Sequence, residues 1–337
     1  MKLLVTGGAG FIGSAFMRQA HEKGYDIALV DRLSYAGDME RLGSARGVSF
    51  HNVDIADYEG LRAVYGKEMP EAVVHFAAET HVDRSILFPE DFVRANVVGT
   101  ANLLKLSLKY DVKKFVHIST DEVYGELPAD KGLKFKETDC LLPNSPYSAS
   151  KASADMFVRA FQNTFGLSAI IVRPSNNYGP WQYPEKLVPL AIARVLSGEK
   201  IPVYGKGENI RTWFFVEDCA GAILNILEKG RVGEIYNIGS LEEKRNMEVV
   251  ERLLHLLGKG KESIEFVPDR PGHDFRYAVD ISKIKDHTGW SPAVSFDEGM
   301  ERTVRWYIEN RDWLFRKRAE VEKFVAELRK NFAAAKK

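Results

Sequence analysis

Val5-Thr6-Gly7-Gly8-Ala9-Gly10-Phe11-Ile12-Gly13-Ser14 is the stretch on which the fold turns. Before it, Lys2 to Thr6 is a short apolar run; after it, apolar positions recur at helical spacing, so the glycines stand at a strand-to-helix turn. Gly7 permits the tight turn, Gly10 lets backbone approach a pyrophosphate, and Gly13 lets the helix pack closely on the strand, with the phosphates at the helix N-terminus. Phe11 and Ile12 complete that cofactor-binding turn. Asp31 follows the next apolar run, Asp26 to Val30, at the place where a carboxylate binds the adenosine ribose hydroxyls and repels the extra phosphate of NADP. NAD is therefore the expected cofactor. Arg32 beside it keeps NADP as the competing reading.

Further β-branched runs follow at Ala72 to Phe76, Lys114 to Ser119 and Ser168 to Arg173, with helix-like segments between them. This alternation predicts α/β architecture with a parallel sheet covered on both faces. Asp54 and Ile55 fall after a short strand, where side chains border the adenine, and Ala77-Ala78 gives small residues for close backbone approach. Past Arg173 the pattern loosens, and Pro174, Pro180, Pro184 and Pro189 punctuate a loop-rich region. The expected division is a cofactor domain over 1–174, with return segments near 212–238, and a mainly substrate-binding lobe over 175–337. From Phe296 onward the pattern is helical, which predicts an amphipathic end packed on the body or on a neighbouring subunit.

Lys plus Arg and Asp plus Glu each total 47, so no overall field draws the chain to nucleic acid or to an anionic membrane. No apolar stretch reaches the length of a membrane span, and no secretory leader is visible. Two distant cysteines, Cys140 and Cys219, argue against a disulfide framework and suit a cytoplasmic protein. The eight histidines form no metal-binding pattern, so no metal is expected.

Tyr147 and Lys151 are four residues apart and share one face of a predicted helix. An ammonium beside a phenol favours the phenolate, which predicts a tyrosine lowered toward working pH and usable as a base. With the glycine turn, this pair resembles the extended short-chain dehydrogenase/reductase family. Ser119-Thr120-Asp121-Glu122-Val123-Tyr124-Gly125 resembles the dTDP-glucose 4,6-dehydratases within it. So do Ala77 to Ser85, Ser175 to Pro180, Pro184 to Leu187 and the run from Asp269 to Asp274.

The resemblance implies a Rossmann-type doubly wound parallel sheet with a smaller C-terminal substrate-binding lobe. It also implies catalysis by Thr120, Asp121, Glu122, Tyr147 and Lys151. In this scheme Tyr147 takes the proton from the sugar's carbon-four hydroxyl, Glu122 removes the carbon-five proton, and protonated Asp121 releases the carbon-six hydroxyl as water. Asn177 joins the NAD contacts. His81, Asn176, Lys186, Leu187, Pro202, Tyr204, Arg211, Asn246, Arg270 and His273 are implied as substrate contacts, with Arg211 and Arg270 offering forks to a diphosphate.

The resemblance further implies a homodimer, built on the helix around Phe92 to Tyr110 and the helix starting near Tyr147. Thr80, Thr212 and Phe275 depart from the family's common residues, which leaves UDP-glucose open beside dTDP-glucose. An epimerase or decarboxylase of the same family would share Tyr147 and Lys151 without needing Asp121. A non-catalytic NAD-binding regulator would have no use for the whole set.

Overall fold

Seven strands build one parallel sheet: Lys2–Thr6 (β1), Asp26–Val30 (β2), Ser49–His51 (β3), Ala72–His75 (β4), Lys114–Ile118 (β5), Ala169–Pro174 (β6) and Ile235–Ile238 (β7). Their spatial order is β7-β6-β5-β4-β1-β2-β3. Thr6 at the end of β1 pairs with Val30 of β2 on one side and with His75 of β4 on the other. The order therefore reverses between β1 and β4, where a doubly wound sheet opens its ligand crevice. β4 and β6 are buried along their whole length, as strands covered on both faces must be. The computed structural model describes residues 1–129, 132–269 and 273–335.

One face of the sheet is covered by the helices Phe11–Glu22 and Val216–Lys229, with Phe16, Met17, Cys219 and Ile223 fully buried between them and the strands. The other carries Leu103, Leu104 and Val158 from the helices Gly99–Lys109 and Pro146–Phe165. A Leu, Ile or Phe side chain removed from water in this way stabilises the fold by about 1.5–3 kcal/mol. A third core, built from Ile192, Trp213, Val249, Leu253, Phe296 and Met300, belongs to the smaller lobe.

That lobe has its own sheets. Asn176–Tyr178, Ile210–Phe215 and Glu243–Arg245 form three strands, and Ile201–Tyr204 pairs in parallel with Ile264–Val267. The return segment expected near 212–238 thus begins on a strand of the small lobe, and Val216 opens the helix that packs back on Phe11–Glu22. β7 rejoins the large sheet beside β6.

The helical end divides into Phe296–Glu309 and Arg311–Ala335, interrupted at Asn310, whose backbone leaves the helical region. The last helix packs on the chain's own body. Trp313 Nε1 donates to Asp38 at 2.8 Å and Arg316 to both oxygens of Glu40, while Arg318 grips Glu199 at 2.7 Å. Phe324 stacks on Tyr35 with ring centres 4.9 Å apart. The side chains of Val325 and Leu328 lie outside the described residues.

Candidate active site

Gly7 follows β1 with φ +72°, and a Cβ there would stand 2.4 Å from the backbone nitrogen of Ala77. At Gly13 a Cβ would meet the carbonyl oxygen of Gly7 at 2.3 Å. Both positions exclude a side chain, one through conformation and contact, the other through contact alone. Gly7→Ala is therefore expected to lose bound dinucleotide. Cofactor released on denaturation should drop below about a tenth of the wild-type amount per chain, because the β1 turn and the Ala77 backbone cannot both keep their places.

Asp31 receives the backbone N–H of Ala9 on one oxygen at 3.0 Å and that of Leu33 on the other at 2.8 Å. Burial nevertheless holds its carboxyl above the ordinary value, against these two hydrogen bonds and the charges of Arg41 and Arg32. Arg32 donates to Asp54 at 3.1 Å and to Glu79 at 2.5 Å. Burial works against its charge, but Glu79 and Asp54 hold the guanidinium above its usual value.

From this end a cleft of about 530 Å³ runs past the carboxyl ends of β1, β4 and β5 to the small lobe. Gly7, Gly10, Phe11, Ile12, Gly13, Asp31, Asp54, Ile55, Ala77 and Ala78 line the half nearer the glycine turn. Thr120, Asp121, Glu122, Tyr147, Lys151 and Asn177 meet at its centre. His81, Asn176, Lys186, Leu187, Pro202, Tyr204, Arg211, Asn246 and His273 line the far half. Arg270 lies outside the described residues.

The central group sits on two elements. Thr120 to Tyr124 form the loop and short helical turn after β5, where Thr120 accepts the Glu122 N–H at 3.3 Å. Pro146–Phe165 is a helix capped by Ser145, and it presents Tyr147 and Lys151 from its first turns. Asp121 is 1% exposed. Burial, and secondarily the Glu122 charge, raises its carboxyl to about 8, so it stays protonated at neutral pH. Asp121 Oδ2 and Asn176 Oδ1 are buried without a protein hydrogen-bond partner among the described residues.

Tyr147 differs from the expectation drawn from its spacing to Lys151. Its phenol is raised above its ordinary value, first by burial and next by Glu122, and the leading opposing influence is a hydrogen bond with Thr120. Lys151 donates to the carbonyl of Ile118 at 2.7 Å, and burial brings its ammonium down to about 8, against Asp155. In so dry a site desolvation outweighs the hydrogen bond that favours the phenolate.

Beneath these residues lies a buried network that sequence reading passed over. Arg173 Nε donates to Asp155 at 2.9 Å and Nη1 to Tyr124 at 2.7 Å, and Tyr124 in turn donates to Asn237 at 2.8 Å. His117 stands 3.4 Å from Asp155, with burial lowering it to about 4. Asp155 lies one helical turn beyond Lys151, and that i,i+4 spacing was the available signal.

In the far half, Arg211 grips main chain instead of offering its whole fork outward. Nη1 donates to the carbonyls of Ile210 and Phe275, Nη2 donates to that of Asp274, and the guanidinium lies 4.4 Å from the Tyr277 ring centre. His273 pairs with Asp269 at 2.7 Å and meets Tyr204 edge-on. Lys186 reaches the carbonyl of Thr80 at 3.4 Å, and His81 Nδ1 accepts the Arg84 N–H at 3.2 Å.

Residues 4–303 match the model of a family described as GDP-mannose 4,6 dehydratase. A dTDP-glucose 4,6-dehydratase of Xanthomonas campestris pv. campestris (strain B100) is 48% identical over 332 residues, covering 92% of this chain and 94% of its own. The crystal structure of a dTDP-glucose 4,6-dehydratase from Streptomyces venezuelae, with NAD and TYD bound, superposes with a TM-score of 0.88 at 45% identity, covering 93% of this chain and 98% of that one. The UDP-glucose 4-epimerase of Thermotoga maritima, with UDP-glucose, superposes with a TM-score of 0.87 at 35% identity, covering 92% and 99%. Backbone likeness barely separates dehydratase from epimerase, so the site residues must. With its glycine turn, its Tyr147 and Lys151 pair and its buried Asp121 beside Glu122, the chain belongs to the GDP-mannose 4,6 dehydratase family and, within it, to the dTDP-glucose 4,6-dehydratases.

Proposed function

We propose that this chain dehydrates dTDP-glucose to dTDP-4-keto-6-deoxyglucose with NAD retained in the cleft. The observation that carries the reading is the carboxyl pair: Asp121, protonated below about 8, adjoins Glu122 at the centre of a dinucleotide cleft that also holds Tyr147 and Lys151. An epimerase needs no such acid. Held by the residues around the glycine turn, NAD would supply a hydride acceptor and donor and a positive ring charge.

The chain's own residues do the rest. Tyr147 receives the proton of the carbon-four hydroxyl once its phenol is ionised; burial and Glu122 oppose that ionisation in the empty cleft, the Thr120 hydrogen bond favours it, and the positive charge of bound NAD would favour it further. The ketone at carbon four acidifies carbon five, from which Glu122 takes the proton. Asp121 donates its own proton to the carbon-six hydroxyl, which leaves as water. Glu122 returns its proton to carbon five as hydride, taken from carbon four, is delivered to carbon six, so the cycle is redox-neutral; Tyr147 then gives up its proton and Asp121 regains one, by exchange with solvent, before the next turnover. A protonated Asp121 as acid beside Glu122 as base is the division of labour that a close carboxyl pair in a dry site allows.

The assignment of 1–174, with return segments near 212–238, to cofactor and of 175–337 mainly to the sugar nucleotide is part of this reading. We also propose a homodimer. Leu103 and Leu104 face their own core, but Val93, Val98, Met156 and Phe157 are 41–51% exposed on the two helices concerned, an apolar surface suited to a second copy. Free thiols at Cys140 and Cys219 support a cytoplasmic setting. No helix among the described residues is long and apolar enough to cross a membrane.

The purified protein, given dTDP-glucose and no added cofactor, is expected to yield the alkali-induced absorbance of a 4-keto-6-deoxy sugar. Product from UDP-glucose alone would keep the chemistry and change the nucleotide. Silence with both, even after NAD is added, would sink the dehydratase reading.

A further inference from the structure

Arg32 is placed where many dinucleotide-binding proteins that use NADP keep a cation for the ribose phosphate, directly after the carboxylate that ends the second strand. It lines the cleft beside Asp31 and Asp54. A guanidinium recognises a phosphate by offering two N–H groups in parallel. Here both terminal nitrogens are engaged, Nη1 with Asp54 at 3.1 Å and Nη2 with Glu79 at 2.5 Å. Asp54 is a partner near the surface; Glu79 is not. Its side chain is 4% exposed, and its second oxygen accepts from Arg84 at 2.7 Å.

The backbone of Glu79 is pinned as firmly as its carboxylate. Its N–H donates to Asn96 Oδ1 at 2.8 Å and its carbonyl accepts from Asn96 Nδ2 at 3.0 Å, while the same Nδ2 donates to Ser150 at 2.8 Å, next to Lys151. Arg84 is held in turn under the rings of Tyr35 and Phe324, 4.7 and 5.0 Å from their centres. The carboxylate that takes Arg32 is thus built into the floor of the site.

We propose that Glu79 is a cofactor-specificity residue: by holding Arg32 from below, with Asp54 beside it, Glu79 withdraws a cation that would otherwise bind the 2′-phosphate of NADP, so the chain selects NAD. Asp31 repels that phosphate, and Glu79 removes the group that would have offset the repulsion. The inference rests on the NAD reading above and gives it a second determinant, 48 residues beyond Asp31.

The test equilibrates the purified protein with equal NAD and NADP and counts each bound form by native mass spectrometry. Wild type should carry NADP on no more than about one molecule in a hundred, and Glu79→Gln should raise the bound NADP-to-NAD ratio about tenfold, the effect of one charge-assisted contact. Adding Arg32→Ala to Glu79→Gln should return the ratio to the wild-type value, since the gain must come through Arg32. A merely structural role for Glu79 would weaken both cofactors together and leave the ratio still, and that result overturns the proposal. So does a gain that survives the loss of Arg32. If Glu79→Gln cannot be isolated folded, Asp54→Asn frees Nη1 alone and should move the ratio the same way by about threefold; no movement there counts equally against the proposal. A wild type that itself prefers NADP would instead overturn the NAD reading.

Discussion

Tyr147→Phe should leave a folded, cofactor-loaded protein whose turnover is lower by about a thousandfold, within the usual range for losing a positioned acid or base. The substitution keeps the ring, which meets Phe92 edge-on with centres 6.3 Å apart, and removes only the hydroxyl bonded to Thr120. The stability cost should be near that of one hydrogen bond, about 1 kcal/mol. Loss should fall on the first oxidation, so rapid mixing with dTDP-glucose should show none of the near-ultraviolet absorbance of reduced nicotinamide. A variant that develops that absorbance at the wild-type rate would remove Tyr147 from the role of base.

Asp121→Asn should fail later in the cycle. Oxidation needs no acid at carbon six, so the same absorbance should appear and persist, while product formation falls by roughly a hundredfold or more. If absorbance and product both follow wild type, Asp121 is not the acid. The pH dependence has a definite sign. Burial raises the folded carboxyl to about 8, so the protonated form that releases water is present below that value and is lost as pH rises through it. The same shift is a stability statement. A carboxyl raised in the folded state favours folding at low pH and loses that contribution between its ordinary value and about 8. Asparagine carries no such charge, so the melting temperature of Asp121→Asn relative to wild type should be higher at pH 9 than at pH 5. An equal difference at both pH values would place the raised carboxyl in doubt.

What could be read from the chain alone was local. The glycine turn, Asp31 after the second run and the fourfold spacing of Tyr147 and Lys151 are patterns within a few residues, and strand alternation follows from burial on both faces. β1 and β2 occupy the predicted Lys2 to Thr6 and Asp26 to Val30. Sheet membership was not local: Ile210–Phe215 has ordinary strand composition, and only its partners at Asn176–Tyr178 and Glu243–Arg245 assign it to the small lobe. Electrostatics resisted for the same reason. The spacing of Lys151 to Tyr147 predicts a lowered phenol, but the depth of burial that reverses it belongs to the assembled site. The grip of Arg211 on three carbonyls and the pairing of Arg32 with Glu79, 47 residues apart, leave no mark in sequence.

The final helix changes what kind of object the two lobes make. Trp313 and Arg316 fasten it to Asp38 and Glu40 beside the large sheet, and Arg318 fastens it to Glu199 in the small lobe. Two bodies joined only along a crevice behave as a hinge. Joined again by the last helix, they are held by a second set of contacts besides the crevice itself. In this chain that helix begins after residue 303, where the match to the family model stops. The two lobes are thus tied together by a segment outside the residues that the family model matches.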